Sequence, residues 1–228
     1  MKQLLFFVLF SFLFSIVGFS QIHKKGTPFI NNYTIDDYSP EGHRASPQNW
    51  DIFQDSSGVL YFGNTDGVLI YDGSDWRLKF LPNRSTVRSI KGHNNTLYAG
   101  GESEFGKFER TSDGRLKYSS YIPMLPDSIE RVRNIWQIYT LENDIVFQGY
   151  NKLFVFKNDQ LQNIIKTKSQ YFFGFKHNQQ LYFFEAGRGM TKFSSKNTKL
   201  VSDGEFYKNH TPRAVFKWNE DSLLLASP

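Results

Sequence analysis

Gly58 to Gly73 reads GVLYFGNTDGVLIYDG. Two short apolar runs flank Asn64-Thr65-Asp66-Gly67, and Asp72-Gly73 follows the second. Gly in such turns supplies positive φ without steric cost, and Asn or Asp bonds the local backbone. The stretch therefore reads as two adjacent antiparallel strands. Extending outward, the same unit has room for four: Trp50–Gln54, Val59–Gly63, Val68–Tyr71 and Trp76–Leu81. Asp55-Ser56-Ser57-Gly58 and Asp72-Gly73-Ser74-Asp75 supply the other turns.

The unit recurs. Leu60-Tyr61-Phe62-Gly63 is matched by Leu97-Tyr98-Ala99-Gly100, Ile145-Val146-Phe147-Gln148, Leu181-Tyr182-Phe183-Phe184 and Leu223-Leu224-Leu225-Ala226, at intervals of 37, 48, 36 and 42 residues. A second column, Val68–Tyr71, Phe105–Phe108, Leu153–Phe156 and Met190–Phe193, keeps intervals of 37, 48 and 37. Later turn signals include Lys91-Gly92-His93-Asn94-Asn95, Thr111–Gly114, Lys157-Asn158-Asp159 and His177-Asn178-Gln179. Four strands in a period of about 40 residues is the sequence signature of a β-propeller blade. The expected fold is all-β, with four complete blades and the start of a fifth between Ser46 and Pro228. A sandwich would need coincidental spacing. Closing a propeller removes its exposed edges. The natural protein is therefore expected to continue past Pro228, with residues 21–45 as a leader.

Composition agrees with strands. Among 228 residues there are 23 Phe and 12 Tyr, and aromatic side chains pack well on a pleated surface. The absence of cysteine excludes a disulfide framework, a thiolate metal site, a Cys nucleophile and a lipobox anchor. Met1-Lys2 is followed by about 16 apolar residues and then Gly18-Phe19-Ser20, the three-part pattern of a signal peptide over residues 1–20, short for a membrane span. The mature chain is expected to begin near Gln21 and to work outside the cytoplasm. The formal charge of +5 is mild for this size, so no direct nucleic-acid contact is expected.

Asn49–Gly73 (NWDIFQDSSGVLYFGNTDGVLIYDG) resembles the two-component regulator propeller repeat: an inner strand, D-x-x-G, an aromatic-rich strand ending in Gly, then G-hydrophobic and aromatic-Asp. The second unit resembles it through Val87-Arg88-Ser89-Ile90, Leu97–Gly101 and Glu104-Phe105-Gly106. The third and fourth follow by spacing. The resemblance implies the periplasmic input half of a Bacteroidetes-type sensor. In that family a triple-tyrosine domain, one membrane helix and a cytoplasmic kinase or helix-turn-helix output usually follow. It also implies tethering to the inner membrane through segments outside this chain, a homodimer in the full-length protein, and a role in transcription regulation.

Aligning inner strands by their following apolar residue puts Trp50, Arg88, Arg133, Gln170 and Arg213 in one column at a channel mouth. Converging guanidiniums suit a carboxylate or sulfate, because their planar forks bind such anions bidentately, and Trp50 offers a stacking face for a sugar. The plainer reading is that these arginines pair with acids between blades. Glu102, Glu104 and Arg188 fall in loops on the same face, as added specificity or as solvated loop charges. Asp36, Asp37, Glu41 and His43 form a polar cluster in the leader, but a leader alone does not show convergent metal geometry. No metal and no cofactor is expected. Neither G-x-S-x-G, H-E-x-x-H nor a phosphate loop is present, so catalytic residues are not assigned. The leading expectation is an extracytoplasmic ligand-sensing propeller, with an acidic oligosaccharide or other small molecule as ligand. The rivals are a secreted polysaccharide-acting hydrolase or lyase and a protein-binding scaffold.

Overall fold

The computed structural model describes residues 45–129, 131–219 and 222–226. The expected signal peptide, the leader up to residue 44 and its Asp36–His43 cluster lie outside them. The described residues form eighteen strands. The first blade comprises β1 (Asn49–Gln54), β2 (Leu60–Asn64), β3 (Gly67–Tyr71) and β4 (Trp76–Lys79). The second comprises β5 (Val87–His93), β6 (Thr96–Gly101), β7 (Phe105–Arg110) and β8 (Leu116–Ser120). The third comprises β9 (Gln137–Thr140), β10 (Ile145–Gln148), β11 (Lys152–Lys157) and β12 (Gln160–Lys166). The fourth comprises β13 (Tyr171–His177), β14 (Gln180–Glu185), β15 (Gly189–Phe193) and β16 (Thr198–Leu200). A final pair, β17 (Ala214–Lys217) and β18 (Leu223–Ala226), begins a fifth sheet. Each sheet is an antiparallel meander in sequence order. The first strands of the first three blades are neighbours, with β1 packed along β5 and β5 along β9.

The turns explain the meander. Asp55 Oδ1 accepts from the Ser57 and Val59 amides at 2.9 and 3.1 Å, and Gly58 takes φ +88°. Asp72 Oδ1 likewise gathers the Ser74 and Asp75 amides. Three later blades use a tighter device. Asn94-Asn95, Asn158-Asp159 and Asn178-Gln179 each place two consecutive residues at φ between 46° and 61°, directly between paired strand ends. Two left-handed residues make the hairpin turn whose twist matches the flanking strands. The turn expected across Lys91–Asn95 is thus only two residues long, and Lys91 to His93 belong to β5.

Facing blades bury three cores. Tyr61, Val68 and Ile70 of blade one meet Val87, Ile90, Leu97 and Ala99 of blade two. Tyr98 and Phe105 of blade two meet Ile138, Phe147, Phe154 and Phe156 of blade three. Val146, Leu153 and Val155 of blade three meet Tyr171, Leu181 and Phe183 of blade four. Central strands β3, β10 and β11 are buried on both faces, so they read as near-continuous apolar runs rather than as alternation.

Candidate ligand site at the channel mouth

Near its start, the first strand of blades one, two and four carries one residue more than its partner can pair, and in blades three and five the residue just before the strand bonds the same partner residue as the strand's first. In blade one Asn49 pairs with Asn64 and Asp51 with Gly63, which leaves Trp50 outside the ladder. In blade two Val87 pairs with Gly101 and Ser89 with Gly100, which leaves Arg88. Blade four pairs Tyr171 with Glu185 and Gly174 with Phe183, so Phe172 and Phe173 are skipped. In blade three the Trp136 amide donates to Gln148 O at 2.8 Å, while the next residue, Gln137, pairs with Gln148. The Arg213 amide donates to Ala226 O at 2.6 Å, and Ala214 pairs with Ala226. Such a bulge re-aims its side chain and twists the strand. The column at the mouth is therefore Trp50, Arg88, Trp136, Phe172 and Arg213.

This register keeps Trp50, Arg88 and Arg213 from the sequence-derived column and corrects the other two. Arg133 lies three residues before Trp136, in an extended run where its carbonyl accepts from the Ser103 amide at 2.7 Å. Ile135 is not the counterpart of Ile90. It fills the space over Gly100, where an added Cβ would meet the Ile135 side chain at 2.4 Å. Gln170 precedes β13, and its carbonyl accepts from the Ala186 amide at 2.9 Å. Two of the five positions are thus aromatic where the sequence alignment placed Arg133 and Gln170.

Arg88 is the best-defined member. Its guanidinium carbon lies 4.2 Å from the Trp50 ring centroid and 4.8 Å from that of Trp136. Its Nε donates to Asn134 Oδ1 at 2.8 Å. Cation–π attraction to both indoles and one hydrogen bond fix the guanidinium plane. The terminal nitrogens have no hydrogen-bond partner among the described residues, so the fork is free. Trp50 Nε1 donates to Thr65 Oγ1 at 3.2 Å, which anchors one indole. Trp50 and Trp136 remain 42% and 40% exposed. Beside the column, Asp51 Oδ2 accepts from Ser89 Oγ and the Ile90 amide at 3.1 and 2.9 Å and ties blade one to blade two.

The loop residues divide. Glu102 is exposed, and its backbone bridges to Asn134, which brings it beside the Arg88 partner. Glu104 turns inward instead. Its Oε1 accepts from the Phe105 amide, Tyr118 OH and Ser120 Oγ at 3.0, 3.1 and 2.6 Å, stitching the β6–β7 loop to β8. Burial, then the nearby Glu104 charge, pushes the Tyr118 phenol well above its ordinary value. Arg188 is also committed. It reaches both oxygens of buried Glu185 at 3.1 Å and Thr198 O at 3.0 Å. Trp136, Asn134 and Phe172 escaped the sequence alignment because it was keyed to the next apolar residue. A count back from the second-strand column would have found Trp136 and Phe172.

No family model and no curated protein matches this chain. Solved structures do. The WD40 β-propeller domain of Doa1 superposes with a TM-score of 0.57 at 10% identity, over 79% of this chain and 62% of that one. The extracellular domain of a protein described as a hybrid two-component system of B. thetaiotaomicron gives 0.60 at 12% identity, over 89% of this chain and 29% of that one. Virginiamycin B lyase of Staphylococcus aureus gives 0.55 at 14%, over 80% and 65%. The chain spans less than two thirds of each of these structures. At such identities the likeness establishes architecture alone: the described residues are consecutive blades of a β-propeller.

Proposed function

We propose that this chain is the extracytoplasmic sensing part of a membrane-bound signalling or transcription-regulating protein. In this reading it takes an acidic oligosaccharide at the mouth of the propeller channel. The observation that carries the reading is the Trp50–Arg88–Trp136 stack. A guanidinium held flat with a free fork is preorganised for a carboxylate, and an exposed indole face on either side accepts a sugar ring. Arg213 and Phe172 extend the same column into neighbouring blades. Support for a sensor comes from extracellular domains of proteins described as one-component and hybrid two-component systems of B. thetaiotaomicron, which share the fold. The N-terminal export pattern agrees with this. Among the described residues no helix is long and apolar enough to cross a membrane, so the tether belongs to segments outside them. Ligand binding would shift the receptor only through differential affinity for two arrangements of the full-length homodimer.

The test is a tryptophan-fluorescence titration of the full chain with uronate-containing oligosaccharides and their neutral counterparts. Losing a charge-assisted contact of about 1.5–3 kcal/mol predicts roughly 10- to 100-fold weaker binding of the acidic sugar by Arg88→Ala. Trp136→Ala should weaken acidic and neutral sugars alike. Equal affinities in wild type and both variants, with unchanged circular dichroism, would refute the site.

A further inference from the structure

A second feature of the same face goes beyond that reading and shares no residue with the stack. A cavity of about 650 Å³ opens on blade three, between the run before β9, the β10–β11 loop and the end of β12. Arg131, Arg133, Lys152 and Lys166 all line it, together with Tyr150 and Thr167, and no described carboxylate does. None of the four cations is in an ion pair among the described residues. Lys152 Nζ reaches only Asn151 Oδ1, at 3.3 Å. Thr167 Oγ1, on this wall, donates to Glu185 at 3.1 Å. That carboxylate is buried and already satisfied by Arg188, Thr191 and Thr198.

The walls are held in place. The Thr167 amide donates to Asn151 O at 3.0 Å, and the Tyr171 amide to Tyr150 O at 2.9 Å, so the loop carrying Tyr150, which leads into Lys152, is pinned to the end of β12 and the start of β13. Four like charges around one small cavity repel each other. A single carboxylate would leave three of them uncompensated. An ordinary surface disperses its lysines among acids, whereas the described walls of this cavity bring four cations together. Its volume suits a small molecule, and its concavity suits a discrete group better than an extended polymer surface.

We infer that the blade-three cavity binds a small molecule that carries two or more negative charges on tetrahedral oxyanions, that is, a phosphate monoester or a multiply sulfated sugar. Lys152 and Lys166 act as point charges, the two arginines supply planar forks, and Tyr150 provides a rim for the carrier.

Isothermal titration calorimetry of the full chain would compare a disulfated disaccharide, a bisphosphorylated sugar of similar size and the unmodified disaccharide. At least one ester should bind at least tenfold more tightly than the unmodified sugar and weaken as salt is raised. Whichever ester binds identifies the source of the oxyanion. Lys152→Ser with Lys166→Ser should lower that affinity at least tenfold, and by more than Arg88→Ala does, which removes only the contribution of the stack. Arg131→Gln, at an exposed position, serves as the independent variant if the double variant melts early, and it should weaken binding by severalfold. Equal affinity for esters and unmodified sugar, or full affinity in a folded Arg131→Gln or double variant, overturns the inference. Loss on Arg88→Ala alone would instead place the anion on the stack.

Discussion

At the scale of single residues, Glu185 at the end of β14 and Glu104 in the β6–β7 loop both do structural work. Glu185 is 1% exposed and takes hydrogen bonds from Arg188, Thr191, Thr198 and Thr167. Removing it leaves a cation and three hydroxyls without their acceptor. Glu185→Ala should therefore cost about 3–5 kcal/mol, read from urea unfolding. Arg188→Ala should cost less, about 1–2 kcal/mol, because Glu185 keeps three hydroxyl donors. The reverse order would mean that Arg188, not the carboxylate, organises this corner. The sequence gives no hint of the difference between Glu102 and Glu104. Both sit in one loop two residues apart, and only the Tyr118 and Ser120 hydroxyls of β8 decide which one turns inward.

Elements meet through a small number of clasps. Asp159, in the two-residue turn between β11 and β12, bonds Lys107 Nζ of β7 at 2.7 Å and the Tyr121 hydroxyl at 2.6 Å. Lys107 also pairs with Glu109 at 2.6 Å. Partial burial raises the Asp159 carboxyl, but the hydrogen bonds from Lys107 and Tyr121 and the lysine charge outweigh it and hold it below the ordinary carboxylate range. Burial lowers Lys107, and its acidic partners more than restore it, above the ordinary lysine value. A depressed folded value means that the Asp159 contribution is complete above an unfolded pKa of about 3.9 and is lost as pH falls below it. The Lys107 contribution persists through neutral pH and is lost only on the alkaline side. Asp159→Asn should thus flatten the acid limb of the stability–pH curve below about pH 4. At neutral pH it should cost on the order of 1 kcal/mol, allowing for solvent screening of a half-exposed carboxylate. An unchanged acid limb would show that other carboxylates control it. A second element-scale contact lies between β1 and β5. A Cβ at Gly92 would sit 2.2 Å from the Phe53 ring, so Gly92→Ala should destabilise by about 1–3 kcal/mol.

Strands and turns were legible at this scale because each blade makes its own hairpins from local signals. The mouth column was only partly legible. The interval from the bulged residue to the last residue of the second-strand column is 12 or 13 in every unit. That regularity belongs to the β1–β2 type of pairing. It is invisible when the inner strands are compared with one another. Ile135 misled the comparison because it is apolar for a different reason, contact with Gly100.

For the described chain as a whole, stability resides between sheets, in three successive interfaces that each touch only neighbouring blades. Repeat architectures of this kind approximate a sum of nearest-neighbour terms. Phe105 tests the idea. Its ring meets those of Tyr121, Phe147, Phe154 and Phe156 with centroids 4.8–6.2 Å apart. Phe105→Ala should cost about 3–5 kcal/mol. Hydrogen exchange should show protection lost in β7, β10 and β11 and largely kept in β2 and β3. Uniform loss across all blades would mean a single cooperative unit instead. The repeat made the blade count readable, but not the partners across each interface, since those pairings join residues whose only common property is apolarity. The bulged positions carry a further consequence. A side chain released from its ladder answers to no cross-strand neighbour, so exchanging it leaves every sheet's bonding untouched. If the proposed site holds, folding and selectivity are set at separate addresses along the same strand, and the vestibule can drift toward new chemical tastes without asking the scaffold's permission.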